Sequence, residues 1–241
     1  MITDCQKYGF SSNDGRYSGE GRWEGMGMPK WVTVLSLMLG IVQTLLGQPA
    51  PAVVPVADYD VYATVLNGFV ADYRTRMGSS TEPVVLLKEH TEVQTRYGFR
   101  VNFNELKPGT WLTHPRLDSL LVDPEWVAFF ASIDTSQFTR LKMNQLPKVA
   151  GCKAIRWTQT LSDRYFSPAS AKRGHYGLTE DYKGYAGIVS FSKVAYSPDG
   201  KKAICYYSRA SDGLAGSGSL VFFEKKAGRW QLVGSIELWG A

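Results

Sequence analysis

A polar run that follows an apolar segment holds the side chains best suited to chemistry. Residues 83–87 (PVVLL) are apolar and β-prone, and Glu89, His90 and Glu92 follow them. Carboxylate and imidazole groups can transfer protons or bind metal ions. Successive strand residues point to opposite faces, so Glu89 and Thr91 share a face, whereas Glu89 and His90 do not. We therefore predict no metal site here, and we name Glu89 and Thr91 as candidate binding residues at the mouth of a sheet.

The other residues that could do chemistry lack the surroundings that chemistry needs. His114 and His175 could act as a base, but the sequence identifies no residue that would orient either ring. Residues 213–219 (GLAGSGS) resemble a phosphate-binding loop, yet such a loop precedes a helix and this one precedes the β-prone segment 220–223. Ser217 lacks the Gly-x-Ser-x-Gly spacing of a nucleophile elbow. The sequence therefore predicts a hairpin connection at 213–219, no catalytic residue and no cofactor.

Aromatic residues are frequent in the C-terminal half and could form a binding face. Exposed Trp and Tyr rings contact sugars or proteins with little loss of conformational entropy. On a half-buried sheet, however, most such rings belong to the core. Both interpretations apply to Trp157, Tyr165, Phe166, Tyr176, Tyr182, Tyr185, Tyr206, Tyr207, Phe222, Phe223, Trp230 and Trp239.

A helix and a set of strands must position these groups. Apolar residues recur at helical spacing from Tyr59 to Tyr73, which predicts a helix capped by Asp58 or Asp60. Four antiparallel strands are predicted at 188–197, 202–210, 220–225 and 229–239. The predicted fold class is α+β, with an N-terminal helix packed on a mainly antiparallel sheet that ends in a four-stranded meander.

Two further segments carry more specific patterns. Residues 126–133 (WVAFFASI) are apolar and predict a short buried helix or strand. In the last predicted strand, the period of two places Trp230, Leu232, Ile236 and Leu238 on one face. The sheet is therefore predicted to be half-buried at the C-terminus.

An apolar segment near the start of the chain predicts export. Residues 28–30 supply a positive charge and residues 31–47 (WVTVLSLMLGIVQTLLG) are largely apolar. Ala50 and Ala52 stand where signal peptidase requires small residues. The sequence therefore predicts a cleaved signal peptide over 28–52 and a periplasmic or secreted location.

The predicted signal divides the chain into three parts. Residues 1–27 are polar and do not belong ahead of a signal peptide, so we interpret them as an upstream extension from a start codon assigned too early. Residues 53–241 are predicted to form a single α+β domain. The alternative is an uncleaved membrane anchor over 31–47, although this segment is shorter than the ~20 residues of a spanning helix.

The charge of the chain narrows the class of partner. The formal net charge is +5, and acidic and basic residues balance within 1–52, so the excess belongs to the predicted domain. A small positive excess suits anionic surfaces such as envelope polymers or lipid head groups. The basic residues are scattered rather than gathered on one helix, so the sequence predicts no nucleic-acid partner.

Two cysteines, Cys152 and Cys205, lie in the predicted domain. In an exported chain they could form a disulfide that closes a long loop. Cys205 falls within a predicted strand, so the alternative is a buried unpaired thiol.

The segments 192–200, 213–218 and 228–239 form a recognisable series of a turn, a Gly-rich loop and an aromatic ending, and with it the C-terminal part of the chain resembles a family of exported bacterial proteins. The shared features are a Ser-x-Val-x-Tyr/Phe-Ser/Asn-x-Asp-Gly hairpin, a Gly-rich loop, and an ending with Trp and Leu-Trp; residues 87–91 (LKEHT) are similar to an earlier family element. Relatives often carry a cysteine pair where Ser211 and Ala215 stand here. The resemblance implies export and fold but no chemistry. The matching residues are Ser192, Val194, Tyr196, Ser197, Asp199, Gly200, Gly213, Gly216, Gly218, Gly228, Trp230, Leu238 and Trp239.

These patterns lead to one leading function and two alternatives. The leading hypothesis is an exported, non-enzymatic module that binds an envelope polysaccharide or a partner protein. The first alternative is a periplasmic or extracellular hydrolase that uses Glu89 or a histidine as general acid or base. The second is a structural domain without a ligand. A membrane is a partner only if the segment 31–47 is retained.

Overall fold

Five α-helices and seven strands make up the part of the chain that the structure describes. The computed structural model describes residues 52–78, 81–93, 101–103, 106, 115–171, 174–213 and 215–241. The predicted extension over 1–27, the signal or anchor segment before residue 52, and His114 lie outside the described residues.

Helices and strands are interleaved along the chain. In order they are α1 (Asp58–Met77), β1 (Val84–Lys88), α2 (Pro115–Val122), α3 (Pro124–Ser132), β2 (Lys153–Trp157), α4 (Gln159–Phe166), α5 (Gly174–Asp181), β3 (Tyr185–Phe191), β4 (Ala195–Tyr196), β5 (Lys202–Ala210), β6 (Gly216–Lys226) and β7 (Arg229–Gly240). The N-terminal helix predicted from residue 59 is α1. The segment 126–133, predicted as a helix or a strand, lies mostly within α3.

The strands form one mixed sheet with a parallel part and an antiparallel part. The strand order is β2-β1-β3-β5-β6-β7, and β4 also pairs with β5. β1 is parallel to β2 and β3, and the remaining pairs are antiparallel. The predicted α+β class and the C-terminal antiparallel strands are confirmed. The segment predicted as one strand over 188–197 forms two, β3 and β4.

Helix α1 covers one face of the sheet. Tyr62, Leu66 and Phe69 of the helix belong to the same buried cluster as Leu87 of β1 and Phe191 of β3. The rings of Tyr62 and Phe191 are stacked with their centroids 4.4 Å apart. Each large apolar side chain buried in this way contributes about 1.5–3 kcal/mol, which holds the helix on the sheet.

The first residue of α1 ties the helix to the segment between β3 and β4. Neither Asp58 nor Asp60 caps the helix as predicted, because its N-cap residue is Ala57. The Asp58 carboxylate is buried and accepts hydrogen bonds from the N–H of Val194 (3.1 Å) and the hydroxyl of Tyr196 (3.0 Å). Because a buried carboxylate requires hydrogen-bond donors, Asp58 is bonded to these two groups. It therefore joins the start of α1 to the sheet and does not cap the helix.

Two pairs of helices cover the opposite face. Helices α2 and α3 pack on the antiparallel part, where the rings of Trp126 and Phe130 lie 5.9 and 5.7 Å from that of Phe222. Helices α4 and α5 pack on the parallel part, where the ring of Tyr165 lies 6.1 Å from that of Trp157. Both faces of the sheet are therefore covered rather than one.

Strand β7 does not keep the alternation that its sequence predicts. Trp230 packs against the cluster of α1, whereas Ile236 belongs to the cluster on the opposite face. The register with β6 shifts where Val233 and then Leu238 are left without a partner. Each extra residue reverses which face the following side chains occupy. The prediction that Trp230, Leu232, Ile236 and Leu238 share a face is therefore wrong.

The two cysteines in the described part of the chain are unpaired. Cys205 is buried in β5, and Cys152 immediately precedes β2. Three strand spacings separate β2 from β5, about 14 Å at ~4.8 Å each, whereas a disulfide needs Cα atoms within about 7 Å. The structure contradicts the proposed Cys152–Cys205 bridge and agrees with the alternative of a buried thiol at Cys205.

Candidate functional site

A polar cleft of about 400 Å³ opens at the carboxyl ends of β1 and β2. The ends of neighbouring parallel strands meet at one edge of a sheet, and ligands commonly bind at that edge in parallel sheets. The volume is within the usual range for small-molecule sites. The lining residues are Lys88, Glu89, His90, Thr91, Glu92, Val93, Arg140, Trp157, Thr158, Gln159 and Ser162.

One wall of the cleft is the start of α4. Thr158 leaves β2 in an extended conformation, and its hydroxyl accepts a hydrogen bond from the N–H of Leu161 at 3.3 Å. This arrangement is a side-chain cap, which stabilises a helix start by about 1 kcal/mol. The preceding Trp157 is buried against Tyr165. Ser162, one turn into the helix, is therefore held at a fixed place beside the end of β1.

The structure places Glu89 in the cleft lining, with its carboxylate engaged by the protein. Its Oε1 lies 3.1 Å from Nζ of Lys142, and the hydrogen bond from Lys142 holds the pKa of Glu89 below its ordinary value. The backbone N–H donates to the carbonyl of Trp157 at 3.1 Å, and the carbonyl accepts from Met143 at 2.8 Å. Glu89 is thus a fixed, ionised group at neutral pH.

Thr91 also lines the cleft, but its hydroxyl is used twice within the fold. It donates to the carbonyl of Thr139 at 2.9 Å and accepts from the N–H of Leu141 at 2.8 Å. The residue is 4% exposed. Thr91 therefore joins the segment after β1 to the segment 139–141, and it has little capacity left for a ligand.

Three other side chains in the cleft keep their hydrogen-bonding capacity. Lys88 and Glu92 are paired with each other, Nζ to Oε1 at 2.7 Å. Within the described part of the chain, the side chains of His90, Arg140 and Ser162 line the cleft and have neither a hydrogen-bond nor an ion-pair partner. A guanidinium, an imidazole and a hydroxyl supply both donors and acceptors, so these three groups are available to a ligand.

Arg140 and Ser162 were not predicted as site residues. Arg140 reaches the cleft because the segment 139–143 runs beside residues 89–91, joined by the N–H of Thr91 to the carbonyl of Leu141 at 2.9 Å. No short sequence pattern indicates such a contact between segments about fifty residues apart. Ser162 had a weak local signal, since Thr158 is a residue type that commonly caps a helix start.

The remaining polar candidates lie outside the cleft. Nδ1 of His175 is 2.8 Å from the hydroxyl of Tyr185, and burial lowers the pKa of this histidine. His175 is not part of the cleft lining. Ser217 lies in β6, paired with Arg209 of β5. The structure therefore brings Glu89, Thr91 and His90 together and places His175 and Ser217 elsewhere.

The glycine-rich run serves close packing. Its first part forms a turn in which the carboxylate of Asp212 accepts from the N–H of Ala215 at 2.8 Å. Gly216 and Gly218 lie within β6 beneath the indole of Trp239, and an ideal Cβ on Gly218 would be 2.1 Å from its Nε1. The run continues into a strand rather than a helix, so it lacks the geometry of a phosphate loop.

Most of the C-terminal aromatic residues belong to the core. Of the twelve, five are buried: Trp157, Tyr165, Tyr206, Phe222 and Phe223. Four more are partly buried and pack against the core clusters: Tyr182, Tyr185, Tyr207 and Trp230. Of the twelve aromatic residues considered, the three with large exposed surfaces are Phe166, Tyr176 and Trp239. The exposed rings are therefore few, and the cleft rather than an aromatic face is the stronger candidate site.

Three of the residues that carry the family resemblance, Ser197, Asp199 and Gly200, shape the hairpin between β4 and β5. The hydroxyl of Ser197 donates to Asp199 at 2.6 Å and accepts from the N–H of Lys202 at 2.9 Å. Gly200 completes the turn with φ of 67°, a conformation that glycine adopts without strain. The hydroxyl of Ser192 accepts from the N–H of Tyr206 at 2.9 Å. This hairpin part of the motif therefore stabilises the fold and lies outside the cleft lining, whereas residues 88–91 of the earlier element line the cleft.

Comparison of the chain with family models, curated proteins and solved structures gives no match. Within the described residues, no helix is both long and apolar enough to cross a membrane. The same residues contain no group of three or more His, Cys, Asp and Glu side chains placed to hold a metal ion.

Proposed function

We propose that this protein is an exported, non-enzymatic module whose cleft binds a sugar unit of an envelope polysaccharide. The proposal rests on three polar side chains in one cleft of about 400 Å³, which have no hydrogen-bond or ion-pair partner among the described residues: His90, Arg140 and Ser162. Sugars are recognised through many hydroxyl groups, and these side chains offer donors and acceptors on different walls. Export is supported by the signal-like segment 28–52.

The size and rigidity of the cleft favour a sugar over a segment of a partner protein. A cleft of about 400 Å³ is small-molecule sized, whereas a stable protein interface buries about 800 Å² on each partner. The walls are held by Thr158 at the start of α4 and by Thr91 beside the segment 139–141. A site whose walls are already fixed loses less entropy on binding.

The charge state of the acids favours binding over hydrolysis. A general acid at neutral pH needs a raised pKa, but the pKa of Glu89 is lowered by Lys142. Glu92 is paired with Lys88. Because glycoside hydrolysis requires two carboxyl groups with different protonation states, these pairings do not suit a hydrolase, and the enzymatic alternative has the weaker support.

The proposal is tested by calorimetric titration of the full-length protein with soluble oligosaccharides prepared from bacterial envelope polysaccharides. We expect saturable binding by the wild-type protein and a loss of about five- to a hundredfold in the double variant His90→Ala/Ser162→Ala, since each lost hydrogen bond costs about 0.5–1.5 kcal/mol. The matched control is Tyr176→Ala, which removes an exposed aromatic ring outside the cleft lining.

The outcomes separate the competing interpretations. Equal affinities of the wild type and the double variant would refute the cleft as the binding site. Loss of binding in Tyr176→Ala alone would favour an exposed aromatic surface instead. If no oligosaccharide of the panel binds the wild-type protein, the proposed function is wrong.

A further inference from the structure

The charged side chains around the cleft carry an excess of positive charge. Two carboxylates, Glu89 and Glu92, line it. Four basic side chains surround it, two in the lining and two that act on Glu89 from beside it. One further carboxylate, Asp163, accepts a hydrogen bond from the lining residue Gln159 at 2.7 Å, so the excess is one positive charge. The basic side chains are Lys88, Arg140, Lys142 and Arg156.

Pairing within the protein leaves Arg140 as the cation available to a ligand. Both lining carboxylates are taken, Glu92 by Lys88 and Glu89 by Lys142. The guanidinium of Arg156 donates to the carbonyl of Met143. Among the described residues, Arg140 is the basic side chain of the cleft that has no such partner, and it is exposed.

We infer that the sugar bound in the cleft is acidic and that its carboxylate pairs with Arg140, so that the preferred ligand contains a uronic acid. This inference rests on the proposed function. A guanidinium binds a carboxylate through two parallel hydrogen bonds, which gives both strength and orientation. The amino end of α4 lies in the same cleft and adds a favourable field for an anion.

The neighbouring groups fit the rest of such a ligand. With the carboxylate on Arg140, the hydroxyl groups of the ring are left for the imidazole of His90 and the hydroxyl of Ser162. The Glu89 carboxylate, held by its ion pair with Lys142, is a fixed polar group in the same lining. A neutral sugar would use the same hydroxyl contacts but would leave the guanidinium without its partner.

The test compares each acidic oligosaccharide with its own carboxyl-reduced form. Oligomers of galacturonate, mannuronate and glucuronate are titrated into the full-length protein at low salt, beside the neutral hexose oligomers that reduction of their carboxyl groups produces. We expect at least one acid to bind about ten- to a hundredfold more tightly than its reduced form, the range expected for a charged hydrogen-bonded pair. Added salt should weaken this preference.

Variants identify the responsible side chain. Arg140→Gln should remove most of the preference for the acid, because glutamine retains hydrogen-bonding capacity without charge. Lys183→Gln is the matched control, since Lys183 is an exposed cation before the amino end of β3, at the opposite edge of the sheet from the cleft. Among the described residues the Arg140 side chain has neither a hydrogen-bond nor an ion-pair partner, so the variant should unfold at the same urea concentration as the wild type, and that result would exclude loss of the fold as the cause.

Two results would overturn the inference, and they differ from failure of the proposed function. Equal binding of the acids and their reduced forms would leave a sugar-binding module without charge selection. A preference for the acid that survives in Arg140→Gln would place the charge recognition elsewhere. Absence of binding by both the acids and the neutral forms would instead count against the proposed function itself.

Discussion

Replacing Gly218 with alanine should destabilise the protein, because β6 passes beneath Trp239 without room for a methyl group. An ideal Cβ at this position would lie 2.1 Å from Nε1 of Trp239 and 2.5 Å from the hydroxyl oxygen of Tyr206. These two atoms are joined by a hydrogen bond of 2.8 Å. One added methyl group therefore collides with both partners of the same hydrogen bond.

The size of the effect follows from which partner can move. The Trp239 side chain is 40% exposed, whereas Tyr206 is 4% exposed and packed in the core. The indole must therefore move outward, which breaks a hydrogen bond worth about 1 kcal/mol. Overpacking adds about 1–3 kcal/mol, reduced here because the ring has solvent on one side. We expect the free energy of unfolding to fall by about 2–3 kcal/mol.

The assay is urea unfolding followed by far-ultraviolet circular dichroism. Gly213→Ala is the matched control, because a Cβ at Gly213 would meet nothing within 4 Å, and we expect a change within about 0.5 kcal/mol. A second test places Gly218→Ala in a Trp239→Ala background. The clash with the indole is then absent, so most of the cost of the alanine should disappear.

Two results would refute this reasoning. Equal stability losses for Gly218→Ala and Gly213→Ala would show that the close approach to Trp239 is unimportant. Strict additivity of Gly218→Ala and Trp239→Ala would show that the two residues do not interact.

Three further predictions concern the fold. Burial raises the pKa of the Asp58 carboxyl above its ordinary 3.8, so the native state binds the carboxyl proton more tightly than the unfolded state does. The free energy of unfolding of the wild type, relative to that of Asp58→Asn, should therefore fall as pH rises above 3.8 and become constant above the native pKa. Urea unfolding at several pH values measures this difference. A constant difference would contradict this. Thr91→Val leaves the carbonyl of Thr139 and the N–H of Leu141 without their partner and should cost about 2 kcal/mol, whereas Thr91→Ser should cost less; equal losses would argue against the hydrogen bonds. Without reductant, alkylation and peptide mass spectrometry should find Cys205 protected in the native protein and both Cys152 and Cys205 modified in denaturant; resistance of both in denaturant would indicate a disulfide.

The sequence was a good guide to elements whose signal is local. Helix α1 could be predicted because its apolar residues repeat at helical spacing, and β5 to β7 because turn residues separate β-prone runs. Strand β2 was not predicted, because its five residues include Lys153 and Arg156 and resemble an ordinary polar segment. Its strand conformation is fixed by parallel pairing with β1, about seventy residues earlier in the chain.

The alternation of apolar residues also gave a wrong prediction where extra residues interrupt the pairing of β7 with β6. The alternation read from Trp230 to Leu238 assumed an uninterrupted strand, but Val233 and Leu238 are inserted against β6. Asp58 or Asp60 was expected to cap α1, whereas the N-cap residue is Ala57 and the Asp58 carboxylate accepts hydrogen bonds from Val194 and Tyr196, in a distant part of the chain. Register shifts and long-range hydrogen bonds depend on the assembled sheet, which periodicity cannot show.

Only the residues of the candidate site that directly follow β1 could be predicted from the sequence. Glu89 and Thr91 were identified because they follow an apolar strand, and the structure places both in the cleft lining. The side chains left available for a ligand include Arg140 and Ser162, which arrive from other segments. Which polar groups are already paired within the fold, and which remain for a ligand, is decided by tertiary contacts such as that between Glu89 and Lys142.

Hydrogen exchange with mass spectrometry, with and without a bound oligosaccharide, tests most directly whether the cleft is the binding site. We predict slower exchange in peptides that cover residues 88–93, 139–143 and 157–162, and unchanged exchange in peptides that cover β7. Slower exchange confined to the surroundings of Tyr176 or Trp239, with the three cleft segments unchanged, would contradict the proposed cleft.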